Sequence, residues 1–534
     1  MADLVLTEVS TLGDVLLRAA DSHPERDALI LLNQRASYSA LRTGAIRTAR
    51  SLIALGVGPG DHVGILIPNC VEFAETLLAV ALIGAVSVPL NVRLKAPEIG
   101  YIIRNAELVA LITSRHPDDP VDFAALLASA AETQPTPRLR FVALARGEVE
   151  GGPIGAKTFA SHSDSVKPMT VERIRRQVRV RAPALILYTS GTTANPKGCV
   201  LSHEAVTRGP VERARYRLKV EGKDVTWGGG PLFHIGTLAP FIGSLGVAGS
   251  FLTDTYFEPG RALQLMYAEK ATLAWPWFSA VVQGLLGHPT FDPNKLDALR
   301  YLFVIAPPTL VNAIQELLPR TEVIQACGMT ETAGIFALCD RDESPESRST
   351  GHGKPAPGIE VRIVDPETGA ELADNRPGEI WVRGYNVMDK YWAAPEKTLE
   401  ALTSDGWLRT GDLYTRLPNG SLVFGGRYKD MLKVGGENVA AVEVEAVLCA
   451  HLAVKTAEVV GRPDQRLDEV PVAFVELHAG ETEDAETLIA HCREKLASYK
   501  VPRTVYFVNA ADWPLSATKI DKRTLRDWAR RGGK

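Results

Sequence analysis

The chain lacks any apolar run long enough to cross a bilayer: its longest, Leu77 to Leu90, is too short and reads as a buried core segment. Cysteine is sparse. The six, at positions 70, 199, 327, 339, 449 and 492, form neither a Cys-x-x-Cys pair nor a disulfide-dense pattern, so a reduced, cytoplasmic setting is expected. The first residues, Met-Ala-Asp-Leu-Val-Leu-Thr-Glu, lack a basic segment followed by an apolar one, and no secretory signal is read there. Charge of one sign is also missing. With 59 Lys and Arg against 63 Asp and Glu, the net charge of -4 argues against nucleic acid or an anionic membrane as partner. Small molecules are the expected partners, and the sequence leaves a homo-oligomer open.

What is present suits a globular protein, with 46% apolar and 23% charged residues. At 534 residues it exceeds one compact core, so two or more domains are expected. Between Ser37 and Gly56, Leu41, Ala45, Ala49 and Leu52 recur at helical spacing, and Gly56 supplies a stop. Short apolar segments at Val63 to Ile67, Val86 to Leu90 and Leu108 to Ile112 alternate with helical stretches at Val71 to Ile83 and Ala96 to Asn105. This alternation predicts an α/β fold of layered subdomains. Residues 114 to 182 give no clear assignment, and the basic run Arg173 to Arg181 reads as a solvated face. A β-rich subdomain is expected from Ile359 to Val364, Gly378 to Arg383 and Ser421 to Phe424. Beyond it lies a small α+β module: helices at Val442 to His451 and Ala485 to Ala497, a half-buried strand at Val470 to Leu477, and a final strand at Thr504 to Asn509. The expected division is 1–428 and 429–534.

The most informative string is Tyr188-Thr-Ser-Gly-Thr-Thr-Ala-Asn-Pro-Lys-Gly198, which follows the apolar run Ala184 to Leu187. Gly191 and Gly198 permit backbone angles that expose amide donors, and Thr189, Ser190, Thr192 and Thr193 add hydroxyls. Lys197 adds a mobile positive charge. Together they suit a triphosphate. A Walker loop requires Gly-Lys followed by Ser or Thr, whereas here the lysine precedes its glycine and Cys199 follows.

The string resembles the signature of the adenylate-forming superfamily of acyl-CoA synthetases, amino-acid adenylation domains and luciferases, and four further strings match in order. The likeness runs from about Thr11 to Leu525. In Cys327-Gly-Met-Thr-Glu331 the resemblance makes Thr330 a phosphate contact and Glu331 the Mg²⁺ ligand, where hard carboxylate oxygen suits the ion. In Trp407-Leu-Arg-Thr-Gly-Asp412, Asp412 would accept hydrogen bonds from the ribose hydroxyls of ATP, with Arg427 contributing from the other side. In Gly426 to Val439, Asp430 would be the hinge of a mobile C-terminal lid, and Gly435 and Gly436 would admit the pantetheine arm of CoA. Lys433 and Asn438 would assist AMP and the reacting carboxylate. In Pro514-Leu-Ser-Ala-Thr-Lys519-Ile-Asp-Lys522, Lys519 would be the catalytic lysine, with Lys522 as the alternative. The chain departs from the family pattern at Cys327, where an aromatic ring is usual, at Val304-Ile305, where relatives carry two glycines, and at Ala194 and Thr518, where relatives carry glycine.

The resemblance implies a two-step ATP-dependent carboxylate–CoA ligase that releases AMP and pyrophosphate. A carboxylate is a poor acyl donor until adenylation gives it AMP as a leaving group. Phe233-His234-Ile235-Gly236 matches a loop at the acyl pocket, where His234 would gate the carboxylate or thiol path. The other candidates for that pocket, Trp275, Trp277, Phe278, Ala306, Ala326, Ala333 and Gly334, are apolar and suit a fatty, aryl or polycyclic acid. The alternatives are transfer of the acyl group to a carrier protein or amine, and a non-catalytic nucleotide- or acyl-binding relative. Cofactors ATP, Mg²⁺ and CoA follow from the first reading.

Overall fold

The structure is a computed structural model that describes residues 9–533 except 118, 134–135, 190–195, 435–436, 465, 497 and 517–518. Its chain contacts divide into two compact units, residues 1–360 with 382–408, and residues 361–381 with 409–534.

The first unit is built on two seven-stranded sheets. One runs in the order Lys390–Tyr391, Lys197–Ser202, Pro183–Thr189, Val86–Pro89, His62–Leu66, Ala110–Ser114 and Phe141–Arg146. Its last five strands pair in parallel and its first three in antiparallel fashion. The other runs Glu322–Ile324, Tyr301–Ile305, Leu273–Phe278, Val225–Gly228, Ser250–Leu252, Asp27–Ile30 and Arg35–Ser37, parallel except at its closing hairpin. Layered α/β architecture is therefore observed as expected.

The helix expected after Ser37 spans Tyr38–Ala54, capped by the Ser37 hydroxyl accepting from the Ala40 amide at 3.2 Å. Gly56 ends it at φ +83, an angle open to glycine without strain. Leu41, Ala45, Ala49 and Leu52 are all buried, and they face Val71–Leu82, a helix with little polar surface that is buried on most sides. The unassigned stretch contains the helix Pro168–Arg175. The basic run beside it is more than a solvated face: Arg175 pairs with Glu172 at 2.8 Å and also with Asp14, and Arg181 meets Glu204 at 2.9 Å.

In the second unit a four-stranded sheet runs Ile359–Val364, Pro377–Gly384, Leu408–Arg416 and Leu422–Arg427. The C-terminal module is organised around Asp468–Leu477, which pairs with Val454–Asp464, Met431–Val434 and Thr504–Phe507. That strand, expected to be half-buried, is covered on both faces. Ala473 and Val475 pack with Val444 and Leu488, while Val472 and Phe474 pack with Trp513, Leu525 and Ala529. Helices on both sides explain its near-continuous apolar sequence. Among the described residues no helix is long and apolar enough to cross a membrane.

Candidate active site

The glycine-rich string joins two neighbouring strands. Strands Pro183–Thr189 and Lys197–Ser202 are antiparallel, with Thr189 opposite Lys197. Ser190, Gly191, Thr192 and Thr193 lie outside the described residues. Lys197 begins the second strand rather than sitting in a free loop, and its ammonium lies 4.4 Å from the centroid of the Tyr391 ring.

Tyr391 connects this lysine to the acidic motif. Its hydroxyl donates to Glu331 Oε1 at 2.7 Å, and burial, followed by the charge of Glu331, raises the phenol pKa and keeps it a donor. Glu331 is 7% exposed and sits in the turn Thr330–Thr332 that follows strand Ala326–Met329. The turn is fixed from within. Thr332 Oγ1 donates toward the Gly334 carbonyl at 2.7 Å and accepts from the Met329 amide at 3.1 Å, and Ala333 takes a left-handed φ of +50. It is also fixed from the segment that carries Tyr391: the Met388 amide donates to the Glu331 carbonyl at 2.8 Å, and Asn386 Nδ2 to the Thr332 carbonyl at 3.2 Å.

In the second unit, Asp412 and Arg427 face each other across neighbouring strands, with Arg427 Nε 3.2 Å from Asp412 Oδ1. The bend before Asp412 is set by Gly411 at φ +72, whose amide donates to Glu379 Oε1 at 2.8 Å. Asp430 ends the turn Tyr428–Asp430 and pairs with Arg526 at 2.6 Å. Lys433 and Asn438 are opposite each other on adjacent strands, but their side chains, like Gly435 and Gly436, lie outside the description. The Lys519 backbone forms the short strand Lys519–Ile520 opposite Leu515–Ser516, and its side chain too lies outside the described set.

The alternative lysine is structural. Lys522 Nζ is 2.5 Å from Glu445 and 3.2 Å from Glu458 in a buried triad. Burial alone would lower its pKa, but the two carboxylates outweigh that and raise it, so this ammonium is held as a permanent ion.

The pocket candidates all belong to the first unit. His234 caps the helix Ile235–Gly246, its Nδ1 accepting from the Gly236 amide at 3.1 Å, which leaves the neutral ring's proton on Nε2. Trp277, at a left-handed φ of +63, donates from Nε1 to the Gly236 carbonyl. Trp275 stacks on Phe303 at 3.5 Å and 6° and lies 5.2 Å from Trp277, in one apolar cluster with Ala326. Phe278 packs against the same cluster. Ile235 and Ala333 are buried in the neighbouring cluster, against which Phe233 packs. A Cβ on Gly334 would stand 3.5 Å from Ile235 and 3.6 Å from Ala239. Ala306 donates its amide to Gln325 Oε1 at 3.1 Å.

Comparison with known proteins decides the family. Residues 16–392 match the AMP-binding enzyme family and residues 443–519 its C-terminal domain. The chain belongs to the AMP-binding enzymes. It is an adenylate-forming enzyme of the acyl-CoA synthetase type, an AMP-forming acid–thiol ligase. It is 32% identical over 501 residues to a feruloyl-CoA synthase of Amycolatopsis, covering 93% of this chain and 95% of that one. It is 32% identical over 536 residues to the 3-[(3aS,4S,7aS)-7a-methyl-1,5-dioxo-octahydro-1H-inden-4-yl]propanoyl:CoA ligase of Mycobacterium tuberculosis, covering 98% and 100%. The crystal structure of the anthranilate CoA ligase AuaEII with anthranoyl-AMP superposes with a TM-score of 0.85 at 26% identity, covering 99% of both chains.

Three contacts of this AMP-binding enzyme escape a sequence reading. Tyr391 is separated from Glu331 by 60 positions, Arg526 from Asp430 by 96, and Gln325 is an isolated amide beside the motif that starts at Cys327. A lone Tyr-Trp pair or a lone Gln has no spacing to mark it. Only the sheet register, which sets Tyr391 opposite Cys199, brings the tyrosine to the acidic turn.

Proposed function

We propose that this enzyme activates a hydrophobic carboxylic acid, fatty, aryl or polycyclic, as its acyl-adenylate and transfers the acyl group to CoA. The observation that carries the reading is the Lys197–Tyr391–Glu331 arrangement, a cation and a carboxylate held on either side of one phenol. Lys197, with the hydroxyls of Thr189, Ser190, Thr192 and Thr193 and the amide of Gly191, binds the phosphates. The single buried carboxylate of Glu331, next in sequence to Thr330, fits Mg²⁺, which takes few protein ligands and is otherwise held by phosphate and water. When bound there, Mg²⁺ supplies charge screening of the triphosphate.

In the first step a carboxylate oxygen of the acid bonds to the α-phosphorus and the bond to the leaving pyrophosphate oxygen breaks. Lys519 aligns the carboxylate with the α-phosphate, and Asp412 with Arg427 holds the ribose. In the second, the CoA sulfur bonds to the acyl carbon and AMP leaves. Rotation about Asp430 withdraws Lys519 and brings up the loop with Gly435 and Gly436 for the pantetheine arm, while Lys433 and Asn438 contact AMP. Domain boundaries at 428 and 429 follow from that pivot. His234 contacts the carboxylate or the incoming thiol. Phe233, Ile235, Trp275, Trp277, Ala306, Ala326, Ala333 and Gly334 surround the acyl chain. Free thiols at Cys70, Cys199, Cys327, Cys339, Cys449 and Cys492 support a reducing cytoplasm.

Pyrophosphate–ATP exchange across a panel of hydrophobic acids tests this reading. Exchange that depends on the acid, and acyl-CoA formed when CoA is added, are expected. Exchange with no acid in the panel, or an acyl-adenylate that CoA does not discharge, would sink it.

A further inference from the structure

Beside Trp275 the first unit holds a small cavity of about 20 Å³, room for one atom the size of a water oxygen. Arg213, Thr226, Ala239, Gly243, Ser244 and Trp275 line it. Its polar groups are unusual. Ser244 Oγ and Trp275 Nε1 are buried with no hydrogen-bond partner, in residues 3% exposed. Arg213, 7% exposed, lines the same cavity. Each such donor left unmade costs on the order of 1–3 kcal/mol, so two beside a buried arginine around one cavity call for an occupant.

The backbone that brings Arg213 here is itself irregular. Helix His203–Glu212 carries Pro210 in its interior and passes into a π-helix, Arg213–Arg217, a local widening that recurs at functional sites. Gly243 lets the next helix approach closely: a Cβ there would come within 2.9 Å of the Pro210 carbonyl. Glu212, also 7% exposed, has both carboxylate oxygens unpartnered, and burial raises its pKa. Burial pulls the Arg213 pKa down to about 10, which leaves it protonated at neutral pH.

The cavity adjoins the candidate acyl pocket through two shared walls. Trp275 lines the cavity and lies 5.2 Å from Trp277, and Ala239 lines the cavity while its Cβ lies 3.6 Å from a Cβ position on Gly334. Arginine and the indole N–H are donors only, and the serine hydroxyl donates readily. The occupant must therefore be an acceptor. The space admits one oxygen, not a carboxylate.

We propose that this cavity is the distal end of the acyl pocket and receives a ketone oxygen at the far end of a hydrophobic acid, held by Arg213, Ser244 and Trp275. The proposal rests on the ligase reading and names its substrate class: oxo acids whose keto group lies opposite the carboxylate.

Matched acids test it. Oxocyclohexyl-propanoate, with the ketone para to the chain, is compared with cyclohexyl-propanoate, and a decalinyl-propanoate pair is compared likewise, by kcat/KM for acid-dependent pyrophosphate exchange. In the wild type at least one oxo acid is favoured about 10- to 100-fold, the range set by a hydrogen bond to a charged group. Arg213→Met brings that ratio toward one. Trp275→Phe, which deletes the N–H and keeps a ring, lowers it several-fold and serves if the arginine variant fails to fold. A ratio near one in the wild type, or unchanged in either folded variant, overturns the proposal and shows that the cavity holds only a structural water. So does exchange with other acids in the panel and with neither oxo acid. Exchange with no acid at all overturns the ligase reading instead.

Discussion

At the scale of single residues, the account depends on groups that hold other groups in place. Tyr391 is the clearest case, since its hydroxyl fixes one oxygen of Glu331 and its ring carries Lys197. Tyr391→Phe keeps the ring and removes only the donor. Hydrogen-bonding partners of metal ligands are commonly worth about 10- to 100-fold in metal affinity or activity. A shift of the Mg²⁺ dependence of pyrophosphate exchange by about tenfold is expected, with a loss of stability on the order of 1–3 kcal/mol from the carboxylate oxygen left without its donor. Unchanged Mg²⁺ dependence would separate Glu331 from the ion. His203 gives a residue-scale pH effect. It is fully buried, its Nδ1 accepts from the Leu12 amide at 3.2 Å, and burial lowers its pKa to about 4, against a small opposing effect of Asp14. Between about pH 6.5 and 4 the unfolded chain binds a proton that the folded chain refuses, so stability falls as pH falls through that window, by up to about 1.4 kcal/mol per pH unit. Urea unfolding of wild type and His203→Asn at pH 7 and pH 5 measures it. Equal pH dependence in the two would remove His203 from the explanation.

At the scale of elements, burial on both faces of Asp468–Leu477 makes it the keystone of the C-terminal module. Phe474 is 1% exposed, stacks at 5.3 Å with Tyr506 and lies 6.0 Å from Trp528. Phe474→Ala is expected to cost about 3–5 kcal/mol, seen as a lower urea midpoint for the transition of this module. An unchanged midpoint would contradict the packing. The same strand shows where sequence reading stops. Helical spacing and the Gly56 stop located Tyr38–Ala54, because one face of that helix is polar. The pattern of Val470 to Leu477 located a strand but misjudged its environment, since a strand's own residues do not reveal that helices cover both faces. The strand pair at 183–202 was half legible. Ala184 to Leu187 announced the first strand, whereas Lys197 to Ser202 begins with a lysine and a glycine that read as loop. Motif strings marked Glu331, Asp412 and Arg427 because they are contiguous. The Tyr391–Glu331 and Arg526–Asp430 contacts depend on long-range register, which no local pattern carries.

At the scale of the whole molecule, the proposed function uses one site twice, with the lysine of the first step removed for the second. Lys519→Ala is expected to lose nearly all pyrophosphate exchange while keeping much of the thioester formation from supplied acyl-adenylate and CoA. Rapid-quench assay of each half-reaction separates these, and equal loss of both would contradict the assignment. The most direct test of the central claim follows the oxygen of the acid. With a turned-over acid labelled with ¹⁸O in its carboxylate, plus ATP and CoA, mass spectrometry of the products is expected to find one labelled oxygen in AMP and none in pyrophosphate. Label in inorganic phosphate, with ADP as the nucleotide product, would contradict acyl-adenylate formation.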